Sequence, residues 1–350
     1  MNRKYLNYPK RVDITYYEKA RKEIINYFSK DKDLESIYEF GTVKAPGISD
    51  IDIILIFKSN PINIEKYSFR EINERVFSLV ANGNVIKMET STFACLDYID
   101  NFNLKLLDGV SIKKSPIPKN LKSIREIVSI CDWLPERIKR IQMILSKSSI
   151  NISHTLCLLH SITYSIKNAE ILASKIELSD KLFDLISSLR SNWYDLKNPE
   201  IILEKTLELS IEVGLHAILK LTDLLIQKIP ISLFESNYRT SDLSVPLHFD
   251  ITLDFHNSLS FNSLEKYRKD KTIIFPGILA YHYLNLAVLP TQISRRLSLK
   301  LFNKIINPTL KLEDEYINYL YIKASLISDN LNFLEKNKFK GGLIRYGFYS

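Results

Sequence analysis

Apolar residues in the first part of the chain switch between helical and strand-like spacing. Apolar side chains three and four positions apart predict a helix over residues 14–29, with Asp13 placed to cap its N-terminus. Short β-prone runs predict strands over 36–40 and 51–57. The second run is so continuously apolar that we expect it to be buried on both faces. A Pro-Gly turn at 46–47 separates the two strands.

The next segment predicts a strand–helix–strand continuation. A capping-box pattern opens a helix over 68–81, and alternating residues predict a strand over 84–90. We expect a further short strand over 92–98 and one or two helical turns over 101–107. Two prolines within 113–119 cannot continue a helix, so we expect a domain boundary there.

Beyond this boundary the pattern becomes mostly helical. Apolar residues at three- and four-residue spacing predict long helices over 124–146, 153–173, 180–193, 199–229 and 312–337. We therefore predict an α+β chain. A small mixed β-sheet domain over residues 1–118 is followed by a mostly α-helical domain over residues 119–350.

Two acidic residues stand at the mouth of the apolar strand. Asp50 and Asp52 are two positions apart, and the period of a strand places both carboxylates on the same side. Two close carboxylates on an apolar strand are unfavourable without a cation. Mg²⁺ takes oxygen ligands, commonly one or two carboxylates plus substrate phosphates. Ahead of the turn, Gly41 permits close approach of a phosphate, and the Thr42 hydroxyl can donate a hydrogen bond to it.

This arrangement resembles the signature of the DNA polymerase β-like nucleotidyltransferase superfamily. Gly41-Thr42, a loop and Ser49-Asp50-Ile51-Asp52-Ile53 match its Gly-Ser or Gly-Gly, loop and Asp-x-Asp between hydrophobic residues. The likeness covers about residues 10–118. Thr42 stands where Ser is commoner, and the loop is shorter than in most members.

The resemblance implies a metal-dependent nucleotidyltransferase. Such an enzyme moves a nucleoside monophosphate from a nucleoside triphosphate to a hydroxyl group, with Mg²⁺ or Mn²⁺ as cofactor. Asp50 and Asp52 would be catalytic metal ligands. A third carboxylate normally lies on a neighbouring strand, and Glu89 is our candidate, with Asp97 as the alternative. Lys87 shares a face with Glu89 and offers it a plain salt bridge instead.

The resemblance also implies a set of nucleotide-binding residues around the loop. These are Gly41, Thr42, Lys44 and Ser49. Lys44 is equally compatible with an ordinary exposed lysine. We expect the acceptor to be a small molecule and the helical domain to form the acceptor side of the site. Two alternatives stay open: a catalytically inactive binding protein of the same fold, and an enzyme that acts on RNA ends.

One stretch in the helical half alternates like a strand. Residues 247–256 place His248, Asp250, Asp254 and His256 on one face. These side chains suit a transition metal or acid–base chemistry. A solvent-facing side of an edge strand is the plainer interpretation.

Composition and charge restrict the class of protein and its possible partners but indicate no further function. The chain has 350 residues, 45% hydrophobic and 25% charged, which is typical of a soluble globular protein of two domains. A net charge of +8 admits a nucleic-acid partner but comes without a dense basic block. Three cysteines lack metal or redox spacing. The amino terminus has no signal-peptide pattern, and residues 273–289 predict a buried helix rather than a membrane span, so we expect a cytoplasmic protein.

Overall fold

The structure is a computed structural model that describes most of the first 228 residues and parts of the remainder. The described residues are 3–58, 72, 74–79, 85–228, 243–247, 251–256 and 272–276, with five further positions, 319, 322, 323, 326 and 333. This part of the chain is α+β, as predicted, with a mixed sheet and several long helices.

The chain divides into two compact units. The sheet unit contains Pro9–Arg125 and Ile317–Ser350, and the helical unit contains Met1–Tyr8 and Glu126–Tyr316. This division differs from the predicted one, after residue 118, mainly in where it places the two chain ends. Physical contacts explain both differences. The first residues form a strand in the helical unit, and Phe333 is buried in the core of the sheet unit.

The sheet unit begins with helix α1 (Ile14–Phe28). The side chain of Asp13 accepts a hydrogen bond from the Thr15 backbone N–H at 2.8 Å, which confirms the predicted N-terminal cap. One face of the helix is buried, with Tyr17, Ala20, Ile24 and Phe28 all within 1% of full burial. This face packs into an apolar core with the sheet.

A four-stranded sheet lies at the centre of this unit. Strands β2 (Leu34–Phe40) and β3 (Asp52–Phe57) are antiparallel, and α2 (Glu74–Leu79) follows them. Strand β4 (Ile86–Glu89) is parallel to β3, while β5 (Leu104–Gly109) is antiparallel to β2. The order is β4-β3-β2-β5, so β3 is central. Its buried, continuously apolar sequence confirms the prediction for residues 51–57.

Two short elements of this unit differ from the predictions. Residues 92–98 form helix α3 (Thr90–Ala94) and a 3₁₀ turn, not a strand, because Phe93 and Leu96 reach the core at helical spacing. Residues 101–107 contribute to β5 rather than to a helix. Pairing with the edge of β2 outweighs the local preference there.

The long helices predicted from apolar spacing lie in the helical unit, except that the first turns of the helix that begins at Lys119 belong to the sheet unit, up to Arg125. They are α4 (Lys119–Ser146), α5 (Ile152–Leu172), α6 (Ser179–Asn192) and α7 (Pro199–Lys228), each with bounds within five residues of the prediction. A Cβ at Gly214 of α7 would lie 2.7 Å from Ile138 Cδ1 of α4, so the two helices approach closely at this glycine. Strand β1 (Lys4–Leu6) pairs in parallel with β6 (Ser149–Asn151).

A second, three-stranded sheet lies in the helical unit. Strand β7 (Leu243–Leu247) is antiparallel to β8 (Ile251–His256), which is parallel to β9 (Thr272–Pro276). The single strand predicted over 247–256 is therefore wrong, because Leu247 pairs with Ile251 and the chain reverses between them. The edge-strand interpretation is also wrong for β8, which lies between its two neighbours.

The apolar stretch at 273–289 begins in β9, so its first residues are not helical as predicted, and residues 277–289 lie outside the described part. Among the helices that the structure describes, none is long and apolar enough to cross a membrane.

Candidate functional site

The two predicted aspartates lie where the central strand of the sheet unit begins. Asp52 is the first residue of β3 and pairs with Phe40 at the end of β2. Between the aspartates, Ile51 is 1% exposed, and its N–H donates to the Leu79 carbonyl at 2.8 Å. Because Ile51 faces the core, Asp50 and Asp52 share the opposite side of the strand.

The surroundings of Asp52 oppose its ionisation. Burial, then the charges of Asp50 and Glu39, raise the pKa of Asp52 to about 8. Phe40, the cross-strand partner of Asp52, meets the Phe102 ring edge-on with centroids 5.1 Å apart. A carboxylate held in this way gains from a nearby cation, which favours its ionised form.

Glu39 was missed by the sequence analysis. It is 4% exposed and pairs across the sheet with Ile53, so its side chain lies on the face opposite Asp52. Arg21 of α1 binds both of its oxygens, from Nε at 2.8 Å and Nη2 at 2.6 Å. A charged residue inside a buried strand requires such a partner, and this is the signal that could have identified it.

Glu89 does not lie with the aspartates. In the parallel pairing of β4 with β3, Glu89 stands opposite Phe57, five residues along the strand from Asp52. This separation is about 17 Å along the strand. Glu89 lies at the carboxyl end of β4, whereas the aspartates lie at the amino end of β3. The register therefore corrects the prediction that Glu89 is a catalytic residue and metal ligand.

The alternative third carboxylate, Asp97, has a structural partner. It lies in the 3₁₀ turn, where Lys114 Nζ donates to its Oδ1 at 2.6 Å. The backbone carbonyl of Asp97 also accepts from Arg125 at 2.9 Å. Among the described residues, no three His, Cys, Asp or Glu side chains form a group that could hold a metal ion.

The residues predicted to hold phosphates occupy different environments. Gly41 has φ of +81°, and no atom lies within 4 Å of the place where a Cβ would be, so its Cα faces open space. Its N–H is already donated to the Asn103 carbonyl at 2.9 Å. Thr42 and Lys44 are exposed on the same loop. A phosphate can therefore approach this loop at the Thr42 hydroxyl and the Lys44 ammonium group.

Ser49 belongs to the internal structure of the loop. It is 8% exposed, and its hydroxyl accepts the Ala45 N–H at 3.0 Å. Its own N–H donates to the Ala45 carbonyl at 2.7 Å. Ser49 therefore closes the turn that delivers Asp50 to the strand.

Tyr17 is a second residue that the sequence analysis missed. Its ring is fully buried, its hydroxyl donates to the Ser49 carbonyl at 2.6 Å, and the same hydroxyl accepts the Gly47 N–H at 2.9 Å. Helix α1 thus fixes the loop between Gly41 and Asp50 through the two hydrogen bonds of the Tyr17 hydroxyl. The signal was Tyr17 itself, three residues before Ala20 on the apolar side of the predicted helix.

The predicted His/Asp stretch belongs to the helical unit and lies partly outside the described residues. His248 and Asp250 lie outside the described residues. Asp254 and His256 lie in β8, where they pair with Ile274 and Pro276 of β9. Their predicted role in acid–base or metal chemistry stays a prediction.

The donor set fits a divalent cation held by two carboxylates. Asp50 and Asp52 supply oxygen ligands on one side of the strand, and a substrate phosphate can complete the coordination. Glu39 does not join them, because it faces away and is bound by Arg21. A site with three carboxylates on the metal does not fit the described residues.

Comparison of the chain with protein-family models, curated proteins and solved structures gave no match.

Proposed function

We propose that the protein is a metal-dependent nucleotidyltransferase, which moves a nucleoside monophosphate from a nucleoside triphosphate to a hydroxyl-bearing acceptor. The observation that carries the proposal is the pairing of Asp50 with a half-buried Asp52 whose ionisation the fold opposes. The resemblance of the Gly-Thr, loop and Asp-x-Asp arrangement to the nucleotidyltransferase signature adds the substrate class. A bound Mg²⁺ or Mn²⁺ supplies Lewis-acid stabilisation of phosphate charge.

Each residue of the site has a defined part in this proposal. Asp50 and Asp52 would hold the cation, which would neutralise charge on the triphosphate. Thr42 donates to a phosphate oxygen, and Lys44 adds a positive charge on the exposed side of the loop. The open space at Gly41 admits the phosphate chain. Tyr17 keeps the loop in place, as its two hydrogen bonds indicate.

A second candidate is a nucleotide-binding protein without turnover. The position of Glu89 favours it, because the carboxylate expected to complete the catalytic set lies at the other end of the strand. Under this alternative the cation and the triphosphate bind as above and no acceptor reacts. The two candidates share a binding site and differ in the presence of product.

The acceptor class and the cellular setting are separate parts of the proposal. We propose a small hydroxyl-bearing molecule as the acceptor. Transfer to an RNA end is the variant of this activity that the net charge of +8 favours. We propose a cytoplasmic location, where nucleoside triphosphates are available.

A radiolabel transfer assay tests the proposal. The full-length protein is incubated with each α-labelled nucleoside triphosphate, Mg²⁺ or Mn²⁺, and pools of small hydroxyl compounds, proteins or RNA. Labelled product that disappears with a chelator and with Asp52→Asn supports transfer. Triphosphate binding without labelled product in any pool supports the second candidate. If the protein neither binds a triphosphate nor yields labelled product in any pool, both candidates are rejected.

A further inference from the structure

A basic stripe follows one side of α4 in the helical unit. Trp133, Arg137 and Arg140 recur at spacings of four and three residues, which keep the same direction along a helix, and Lys147 is the first residue after the end of α4. The first three side chains are half-buried and Lys147 is exposed, so all four reach the surface. Between residues 133 and 147 the sequence carries four basic residues and one acidic residue.

The aromatic and basic groups of the stripe are in contact. The guanidinium carbon of Arg137 lies 4.0 Å from the centroid of the Trp133 ring. This cation–π geometry fixes a planar guanidinium against the helix and limits its motion. Arg137 therefore presents a positioned, flat cation of the kind that binds phosphates and stacks on bases.

A second helix adds to the same positive region. His154 lies in the first turn of α5, where its backbone N–H donates to the Asn151 side chain at 3.1 Å. Burial lowers the pKa of His154, and the positive charges of Arg140, Arg137 and Lys147 lower it further. The three cations therefore lie near His154 at the start of α5.

From this cluster we infer that the helical unit carries a binding surface for the phosphodiester backbone of single-stranded nucleic acid. The stripe from Arg137 to Lys147 is about 15 Å long, which spans several phosphates rather than one. A positive groove with an aromatic group is the arrangement by which proteins bind single strands without reading sequence. The net charge of +8 acts in the same direction.

An anionic membrane is the competing occupant, and the exposed apolar groups argue against it. Helices that bind at a membrane surface present large apolar side chains beside their cations. The large hydrophobic side chains that are exposed in the described part of the chain lie elsewhere, and α4 carries none of them. The stripe therefore carries the positive charge that a membrane surface would attract, but the described residues of α4 show no large exposed apolar side chain that would insert into the membrane.

The test is fluorescence anisotropy with the full-length protein and a labelled single-stranded oligouridylate of roughly 12 nucleotides, which suits the site sizes of such surfaces. We expect binding that weakens steeply between about 50 and 200 mM salt. Arg137→Gln with Arg140→Gln should lower affinity by about tenfold or more and reduce the salt slope by about 0.7 per lost phosphate contact. Lys147→Gln, at an exposed position, should act in the same direction more weakly.

Two controls separate a local site from overall charge. Lys181→Gln with Lys205→Gln removes the same charge from exposed positions on α6 and α7 and should leave affinity within about twofold. Arg137→Lys with Arg140→Lys keeps the charge and should retain most of the binding. The melting temperature of each variant checks its fold.

Three results would overturn the inference. The first is no binding of the oligonucleotide at low salt. The second is an equal loss in the stripe and control variants. The third is binding to phosphatidylserine vesicles in place of RNA. The inference does not rest on nucleotidyl transfer, because binding is measured without a nucleoside triphosphate or turnover.

Discussion

At Asp52, burial and the charges of two other carboxyl groups together oppose ionisation of the side chain. Its two acidic neighbours act from different directions, since Asp50 precedes it on the strand and Glu39 lies on the opposite face of the sheet. Arg21 compensates Glu39 directly. No such partner is described for Asp52 itself, and a substrate-bound cation is the group that would stabilise its charge.

The raised pKa of Asp52 predicts a pH-dependent stability in metal-free protein. Unfolded Asp52 ionises with a pKa of 3.8, whereas the folded-state pKa is about 8. Between these values the folded chain binds more protons than the unfolded chain, so the free energy of unfolding falls as pH rises. The slope from this group is at most about 1.4 kcal/mol per pH unit.

Thermal unfolding from pH 4 to pH 9 in a chelating buffer measures this effect, with Asp52→Asn as the reference because it does not ionise. The wild type should lose stability relative to the variant as pH rises, and the difference should level off above about pH 8. Parallel curves for the two proteins would mean that Asp52 ionises normally in the fold.

The Arg21–Glu39 pair predicts a strongly asymmetric mutational response. Arg21→Met leaves the buried Glu39 carboxylate without its partner and should lower the free energy of unfolding by about 3 kcal/mol. Arg21→Met combined with Glu39→Leu removes both charges and should recover most of the loss. Lys22→Met, at an exposed position of the same helix, is the control. Denaturant unfolding gives all three values, and a double variant as unstable as the single one would contradict the pairing.

The loop between β2 and β3 depends on α1, which is distant from it in sequence. Tyr17 holds two backbone groups of the loop with one hydroxyl. Ser49 closes the turn from inside. The positions of the aspartates therefore depend on α1 as well as on β3 and the loop that leads into it.

Tyr17→Phe should therefore disturb the site without emptying the core. The variant keeps the ring and loses both hydrogen bonds, which should cost about 1–3 kcal/mol of stability, since the buried Ser49 carbonyl and the half-buried Gly47 N–H lose their partner. Nucleotide affinity should fall in the same variant because the loop is no longer fixed. Tyr16→Phe, at an exposed position next to it, should change neither quantity. Calorimetry measures the nucleotide affinity of both variants, and thermal unfolding measures their stability. An unchanged nucleotide affinity in Tyr17→Phe would show that Tyr17 does not position the loop.

Much of this architecture was predictable because the signals were local. The apolar spacing of α4 to α7 and the continuous apolar residues of β3 identified those elements from the sequence. The strand β5 was not predictable from its own residues, since pairing with the edge of β2 creates it. Glu89 was misplaced for a similar reason. Its distance from Asp52 depends on the register between two strands, which the spacing of residues along the chain does not contain.

At the level of the whole chain, residues 3–8 form a strand and side-chain hydrogen bonds within the helical unit. Strand β1 pairs with β6, and Arg3 binds Glu204 at 2.9 Å and the Leu145 carbonyl at 2.6 Å. Tyr5 also donates to Glu204, at 2.8 Å, and Tyr8 donates to Glu200 at 2.9 Å. These contacts place the amino terminus in the unit that the helices build.

Removal of residues 1–8 should therefore loosen the helical unit. Hydrogen exchange followed by mass spectrometry should show faster exchange in β6 and in the first turns of α7, since both lose partners. The sheet unit should keep its protection in β2 and β3. Lys10→Ala, just beyond the removed segment, is the control. Equal protection of β6 in the shortened and full chains would contradict this role for the amino terminus.

Calorimetric titration of a nucleoside triphosphate into the full-length protein tests whether Asp50 and Asp52 form a metal-assisted nucleotide site. The titration is repeated with Mg²⁺, with a chelator, and with Asp50→Asn combined with Asp52→Asn, whose fold is checked by thermal unfolding. We expect binding by the wild type with Mg²⁺, and a loss of about tenfold or more in affinity both with the chelator and in the double variant. Triphosphate binding of equal affinity in all three experiments would show that the aspartates do not hold a cation for the nucleotide.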